Sequence, residues 1–98
     1  MMIEIKKNAE ETIIEIVGRL DTTTAPALEK TINEDIGETK NLVLDIKGLE
    51  YISSAGLRVL LSAQKKMKQK GTMVVKNVCA EIMDVFEITG FADILTIN

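Results

Sequence analysis

Leu42-Val43-Leu44-Asp45-Ile46, then Lys47-Gly48-Leu49-Glu50-Tyr51-Ile52, then Ser53-Ser54-Ala55-Gly56-Leu57, is the stretch whose reading decides the fold. The first five residues form a nearly unbroken apolar run, the pattern of a central strand buried on both faces. The last five open a segment in which Leu57, Leu60, Leu61, Gln64 and Met67 recur at helical spacing. That spacing predicts an amphipathic helix. A strand passes through a loop at 47–53 into a helix, which is half of a parallel crossover unit.

The same pattern extends in both directions. Ile3 and Ile5 alternate with Glu4 and Lys6, which predicts a first strand with one dry face. Asn8-Ala9-Glu10-Glu11 reads as a turn, and the β-branched run Thr12 to Val17 as its hairpin partner, ended by Gly18. A first helix is expected from about Thr24 to Ile36. Asp21 and Thr22 to Thr24 are cap candidates, Pro26 lies in the first turn, and Gly37 is the stop. Beyond Gly71, residues 72–76 read as a strand and 80–89 as a helix with Ile82, Val85 and Phe86 inward. Gly90 ends that helix, and 94–97 reads as a last strand. The expected order is β-β-α-β-α-β-α-β, an α/β domain with a mixed, mostly parallel sheet spanning residues 1–98.

Composition narrows the chemistry. The 98 residues contain no His, no Trp, one Cys and one Pro, and carry formal charge −3. Without His, the commonest general base and transition-metal ligand is missing. One cysteine closes no internal disulfide and builds no thiolate zinc site. No phosphate-binding loop of the GxxxxGK[ST] or GxGxxG type occurs, so no catalytic residue, cofactor or metal is expected. Twelve basic residues against fifteen acidic ones, with 3% aromatics, argue against direct nucleic-acid binding. The basic run Lys65-Lys66-Met67-Lys68-Gln69-Lys70 reads as the last turns of a helix, where positive charge complements the dipole. Met1 to Lys7 has no signal-peptide pattern, and no apolar stretch is long enough to span a bilayer. A cytoplasmic location without membrane insertion is the expectation, and nothing in the pattern demands more than a monomer when free. Met73 and Ile97 are candidate exposed edge residues, and Met67, Met73 and Met83 candidate core fillers.

The segment with functional potential is the helix entrance at Ser53-Ser54-Ala55-Gly56. It lies beyond the carboxyl end of the central strand, where open α/β sheets place their sites. Two readings stand side by side. Either serine can be a plain N-cap, although no Glu or Gln follows at the third position to complete a capping box. Alternatively, a phosphorylated serine here would meet free helix N–H groups and the positive end of the dipole, leaving the fold intact while adding about −1.5 to −2 of charge.

Three motifs resemble one known family. Gly18-Arg19-Leu20-Asp21-Thr22-Thr23-Thr24-Ala25 is similar to its Gly-x-Leu-Asp segment. Leu42 to Ile46 with Leu49-Glu50-Tyr51-Ile52 resembles its central strand and loop, and Ser53-Ser54-Ala55-Gly56-Leu57-Arg58 its phosphorylation motif. Gly71 to Val75 and Val85 to Phe91 also match. The chain resembles the anti-sigma factor antagonists, also called anti-anti-sigma factors, which are small STAS-domain proteins.

The resemblance implies a phosphorylatable binding module rather than an enzyme. The unphosphorylated form would bind an anti-sigma factor serine protein kinase and release a sigma factor. Phosphorylation of Ser54, with Ser53 as the alternative acceptor, would switch binding off, and a serine phosphatase would reverse it. Asp21, Thr22, Thr23, Ser53, Ala55, Gly56, Leu57 and Arg58 are the implied partner-binding residues. The family often has Asp where this chain has Ser53. An alternative role for the same fold is an accessory subunit of a membrane transport system for lipids or anions, without a serine switch.

Overall fold

The computed structural model describes residues 1–98. Strand β1 (Met2–Lys7) runs antiparallel to β2 (Glu11–Leu20), with Ile3 opposite Ile16 and Ile5 opposite Ile14. The turn between them is held by Asn8, whose Oδ1 accepts from the amides of Glu10 (3.1 Å) and Glu11 (2.9 Å). Strand β3 (Asn41–Ile52) is parallel to β2 on one side and to β4 (Thr72–Lys76) on the other. The sheet order is β1-β2-β3-β4. Helices α1 (Ala25–Asp35) and α2 (Ser54–Lys68) make the crossovers, and α3 (Ala80–Thr89) follows β4. This is the expected α/β class with a mixed sheet.

One face of the sheet carries Ile14, Ile16 and Leu20 from β2, Leu42, Leu44 and Ile46 from β3, and Met73 and Val75 from β4. These join Leu28 and Ile32 of α1, Leu57 and Leu60 of α2, and Ile82 and Phe86 of α3 in a single buried cluster. All three helices therefore cover the same face. The other face carries Ile13, Glu15, Val43, Asp45 and Val74, and of these only Val43 is buried. The central strand is not dry on both sides as its apolar run suggested. Each full-length large apolar side chain sent to the covered face contributes about 1.5–3 kcal/mol by leaving water.

Several expectations need correction. Gly18 does not end β2; it sits within it at φ +106°, and the strand continues to Leu20. Residues 47–52 are not a loop but the second half of β3. The pairing advances irregularly there, from Glu15–Asp45 to Val17–Gly48 and from Gly18–Leu49 to Arg19–Tyr51. Each step leaves one extra residue in β3, so the strand contains two bulges. The bulges change the phase of the alternation. That is why Leu49 and Ile52 are buried while Lys47, Glu50 and Tyr51 are exposed. The expected last strand is reduced to one parallel bridge, Ile97 to Val75, after a 3₁₀ turn at Phe91–Asp93. Met73 is not an exposed edge residue: it is 1% exposed, in the core.

Candidate functional site

Chain order brings two segments together beyond the carboxyl ends of β2 and β3. Leu20 and Ile52 are register partners, so Asp21 and Ser53 leave adjacent strands side by side. The Ser53 amide donates to the Leu20 carbonyl at 2.9 Å, which extends the ladder by one residue. From that point the chain turns into α2.

The two serines divide the available roles. Ser53 is the N-cap, in extended conformation, and its Oγ accepts from the Gly56 amide at 3.4 Å. Its carbonyl accepts the first helical bond, from the Leu57 amide at 2.9 Å. Ser54 is the first helical residue and is exposed, and its hydroxyl makes no hydrogen bond within the protein. The hydroxyl that structure requires and the hydroxyl left free are thus different residues.

Gly56 explains the tightness of this entrance. A Cβ at Gly56 would lie 2.7 Å from Leu20 Cγ and 2.9 Å from Ile52 Cγ1. The first turn of α2 therefore rests directly on the two strand ends, and only a residue without a side chain allows it. Gly56 and Leu57 are both buried. Among the implied partner-binding residues these two are buried, and they set the geometry of the entrance.

Asp21 anchors the facing turn. Its Oδ1 accepts from the amides of Thr23 (3.0 Å) and Thr24 (3.1 Å), and its carbonyl accepts from the Ala25 amide at 2.8 Å. The Thr24 hydroxyl returns the contact, accepting from the Asp21 amide at 2.9 Å and donating to the Arg19 carbonyl at 2.8 Å. Thr24 caps α1 by position only, without a side-chain cap bond. The Thr24 amide, ahead of the Thr23 amide, the Thr24 hydroxyl and the Arg19 charge, holds the Asp21 carboxyl below its ordinary value of 3.8, against a smaller effect of burial. The second oxygen, Oδ2, faces Arg19 Nε at 3.9 Å and keeps room for another donor.

Between the two segments lies an open cleft of about 310 Å³. Thr22 and Ala25 line it from the α1 side, and Ala55 and Arg58 from the α2 side. Exposed Thr23 stands at its rim in sequence but not in its lining. Pro26, Glu29 and Val59 also line it and were not singled out from sequence. Their signal was spacing: Pro26 and Val59 each follow a named residue, Thr22 and Ala55, by four positions, and Glu29 lies one turn beyond Pro26.

A second addition is Arg19 with Tyr51. They are register partners across β2 and β3, and the guanidinium lies 4.2 Å from the ring centroid. Tyr51 is 41% exposed, so this cation–π pair lies at the surface beside the Asp21 turn, and neither residue lines the cleft. Only the bulged parallel register puts the two together. No group of three or more metal-ligating side chains occurs, and no helix is long and apolar enough to cross a membrane.

Known proteins share this architecture. The anti-sigma-B factor antagonist of Listeria monocytogenes is 32% identical over 99 residues, covering 98% of this chain and 87% of that protein. The anti-sigma-B factor antagonist of Bacillus subtilis is 28% identical over 97 residues, covering 98% of this chain and 89% of that protein. A crystal structure of an anti-sigma factor antagonist from Mycobacterium paratuberculosis superposes with TM-score 0.88 at 22% identity, covering 98% of this chain and 83% of that one. The family model described as the STAS domain matches residues 2–98, and the chain belongs to that family.

Proposed function

We propose that this chain is an anti-sigma factor antagonist controlled by phosphorylation of Ser54. In the unphosphorylated state it binds an anti-sigma factor that is itself a serine kinase, and the sigma factor is released to RNA polymerase. The kinase supplies the nucleotide and the catalysis. Ser54 Oγ attacks the γ-phosphorus of ATP, ADP leaves, and the hydroxyl proton passes to a base of the kinase. A serine phosphatase returns the hydroxyl by hydrolysis. The protein thus works in the cytoplasm, where RNA polymerase is found.

The observation that carries this reading is the division between the serines. Ser53 is spent on the cap, whereas Ser54 is exposed and unbonded at the first position of α2. A phosphate there sits near the free N–H groups and positive end of a fifteen-residue helix. It changes the surface charge by about −1.5 to −2 without entering the core. Asp21, Thr22, Thr23, Ala55 and Arg58 border the same surface and form the contact set in this reading. Ser53, Gly56 and Leu57 act through the geometry of the entrance.

The test is intact mass after incubation with each serine-kinase anti-sigma factor of the source genome and ATP, followed by site mapping. A single phosphate on Ser54, with loss of binding, is the expected result. A phosphate on Ser53, or equal binding by Ser54→Asp and Ser54→Ala, would overturn the switch at Ser54. A transport role without a switch predicts no phosphorylation and an ABC permease beside the gene.

A further inference from the structure

From Ile52 to Ala80 the chain contains no Asp or Glu, but it contains Arg58, Lys65, Lys66, Lys68, Lys70 and Lys76. All fifteen acidic residues lie outside this stretch. A protein of net charge −3 therefore holds one strongly positive region, and most of it is the outer surface of α2.

The positive groups are ordered along that surface. Arg58, Leu61, Ser62, Lys65, Lys66 and Gln69 line one shallow groove of about 350 Å³. Their spacing follows a single helical face and runs for about 16 Å at ~1.5 Å per residue. Ser54 lies one turn before Arg58 on the same face, at the head of the groove. Arg58 and Lys65 make no ion pair or side-chain hydrogen bond within the protein. Lys66 reaches Asn33, a neutral partner, and keeps its charge uncompensated. Lys70, by contrast, is already used on the carbonyls of Ile36 and Gly37 at the end of α1.

We infer that this groove is a docking face for an acidic segment of the anti-sigma factor, seated along α2 from Arg58 to Gln69. The inference rests on the functional reading above. An acidic protein surface fits better than nucleic acid. The stripe has no aromatic side chain for base stacking, and the rest of the molecule is acidic and would repel a long polyanion. The arrangement also gives the switch an electrostatic mechanism. A phosphate on Ser54 stands within one turn of Arg58, draws on that guanidinium, and places negative charge where the acidic segment would begin.

The experiment measures binding of the whole chain to each serine-kinase anti-sigma factor of the source genome by fluorescence anisotropy. Four forms are compared: wild type, Ser54→Asp, Lys65→Glu with Lys66→Glu, and Lys6→Glu with Lys76→Glu. The last pair makes the same charge change on the uncovered sheet face. Salt is raised from about 0.1 M to about 1 M, which shortens the Debye length from ~10 to ~3 Å. The expected result is a loss of about tenfold or more for the α2 pair at low salt, shrinking at high salt, with the sheet pair near wild type. Equal affinity of the α2 pair and wild type, alongside lost binding by Ser54→Asp, overturns the groove and leaves the functional reading standing. Wild-type binding to none of the anti-sigma factors overturns both. Tighter wild-type binding to a duplex DNA, or to vesicles containing phosphatidylserine, than to any anti-sigma factor also overturns the acidic-protein assignment.

Discussion

The Ser53 amide and the Leu20 carbonyl are joined by a 2.9 Å hydrogen bond. This bond ties the entrance of α2 to the end of β2, one residue before Asp21. The proposed phosphoacceptor, Ser54, and the acidic turn are therefore held along one edge, although more than thirty residues of chain separate them. Loosening either side should alter the other.

The division of labour between the serines is measurable as stability. Ser53→Ala removes the cap bond and should cost about 0.5–1 kcal/mol, the low end for caps because the bond is long at 3.4 Å. Ser54→Ala removes an exposed, unbonded hydroxyl and should stay within about 0.5 kcal/mol of wild type. Urea unfolding of the two variants gives the comparison. A larger loss for Ser54→Ala would reverse the assigned roles.

Gly56→Ala should destabilise despite alanine's higher helix propensity. The propensity gain is about 1 kcal/mol. Against it stands a Cβ at 2.7 Å from Leu20 Cγ and 2.9 Å from Ile52 Cγ1, an overpacking that costs about 1–3 kcal/mol. A net loss of about 1 kcal/mol is expected, with wider amide shift changes at Leu20 and Ile52 in an NMR spectrum than elsewhere. An unchanged or raised unfolding midpoint would show that α2 can lift off the strand ends freely.

Gln64 offers a gain. Its side chain is buried at 8% exposure, and Oε1 has no hydrogen-bond partner. An orphaned buried acceptor costs about 1–3 kcal/mol. Gln64→Met keeps the length and removes the polar group, so it should raise the thermal midpoint. A lowered midpoint would place a bound water on Oε1.

Asp45 links the uncovered face to acid stability. The Asn77 side chain, donating to Asp45 Oδ1 at 3.0 Å, is the main cause of a carboxyl held below its ordinary 3.8, with the Lys47 amide and the Lys47 and Lys76 charges acting alike and burial opposing. A depressed folded pKa contributes stability that is present above the unfolded pKa of about 4 and is lost as the pH falls through the folded value. Asn77→Gly preserves the backbone at φ +61° and removes the donor. The carbon-detected titration of Asp45 should then move upward toward 3.8. The Asn77-dependent part of acid stability should vanish with it, and an unmoved titration would exclude this bond as the cause.

Phosphorylated Ser54 should titrate with the help of Arg58. The second phosphate pKa is ordinarily about 6, and a guanidinium one turn away favours the dianion. Phosphorus NMR should show a lower value in the wild-type phosphoprotein than in its Arg58→Ala form. Identical curves would separate Arg58 from the switch.

The elements were largely legible in the sequence because their signals are local. Helical spacing at Leu57, Leu60 and Met67, the cap turn at Asp21, and the β-branched run of β2 each act within a few residues. Residues 47–52 do not show their strand in the sequence, because two bulges break the alternation that marks one. The cause lies in the neighbour: β2 supplies one residue where β3 supplies two. Likewise the last strand failed because Ile97 finds only Val75 to bridge. Ser54 and Asp21 could be named from motifs. The pairing of Arg19 with Tyr51, and the cleft completed by Pro26, Glu29 and Val59, could not.

By itself the sequence determined the class, the order of helices and strands as far as α3, the absence of histidine chemistry, and a helix entrance bearing two serines. Periodicity, caps and composition are properties of neighbouring residues, so they need no tertiary contact. The structure alone decided which serine is spent and which is free, that Gly56 and Leu57 lie beneath the surface, and that all three helices share one face. These depend on strand register and helix seating, where the Leu20–Ile52 pair meets α2, and no window along the chain contains all three.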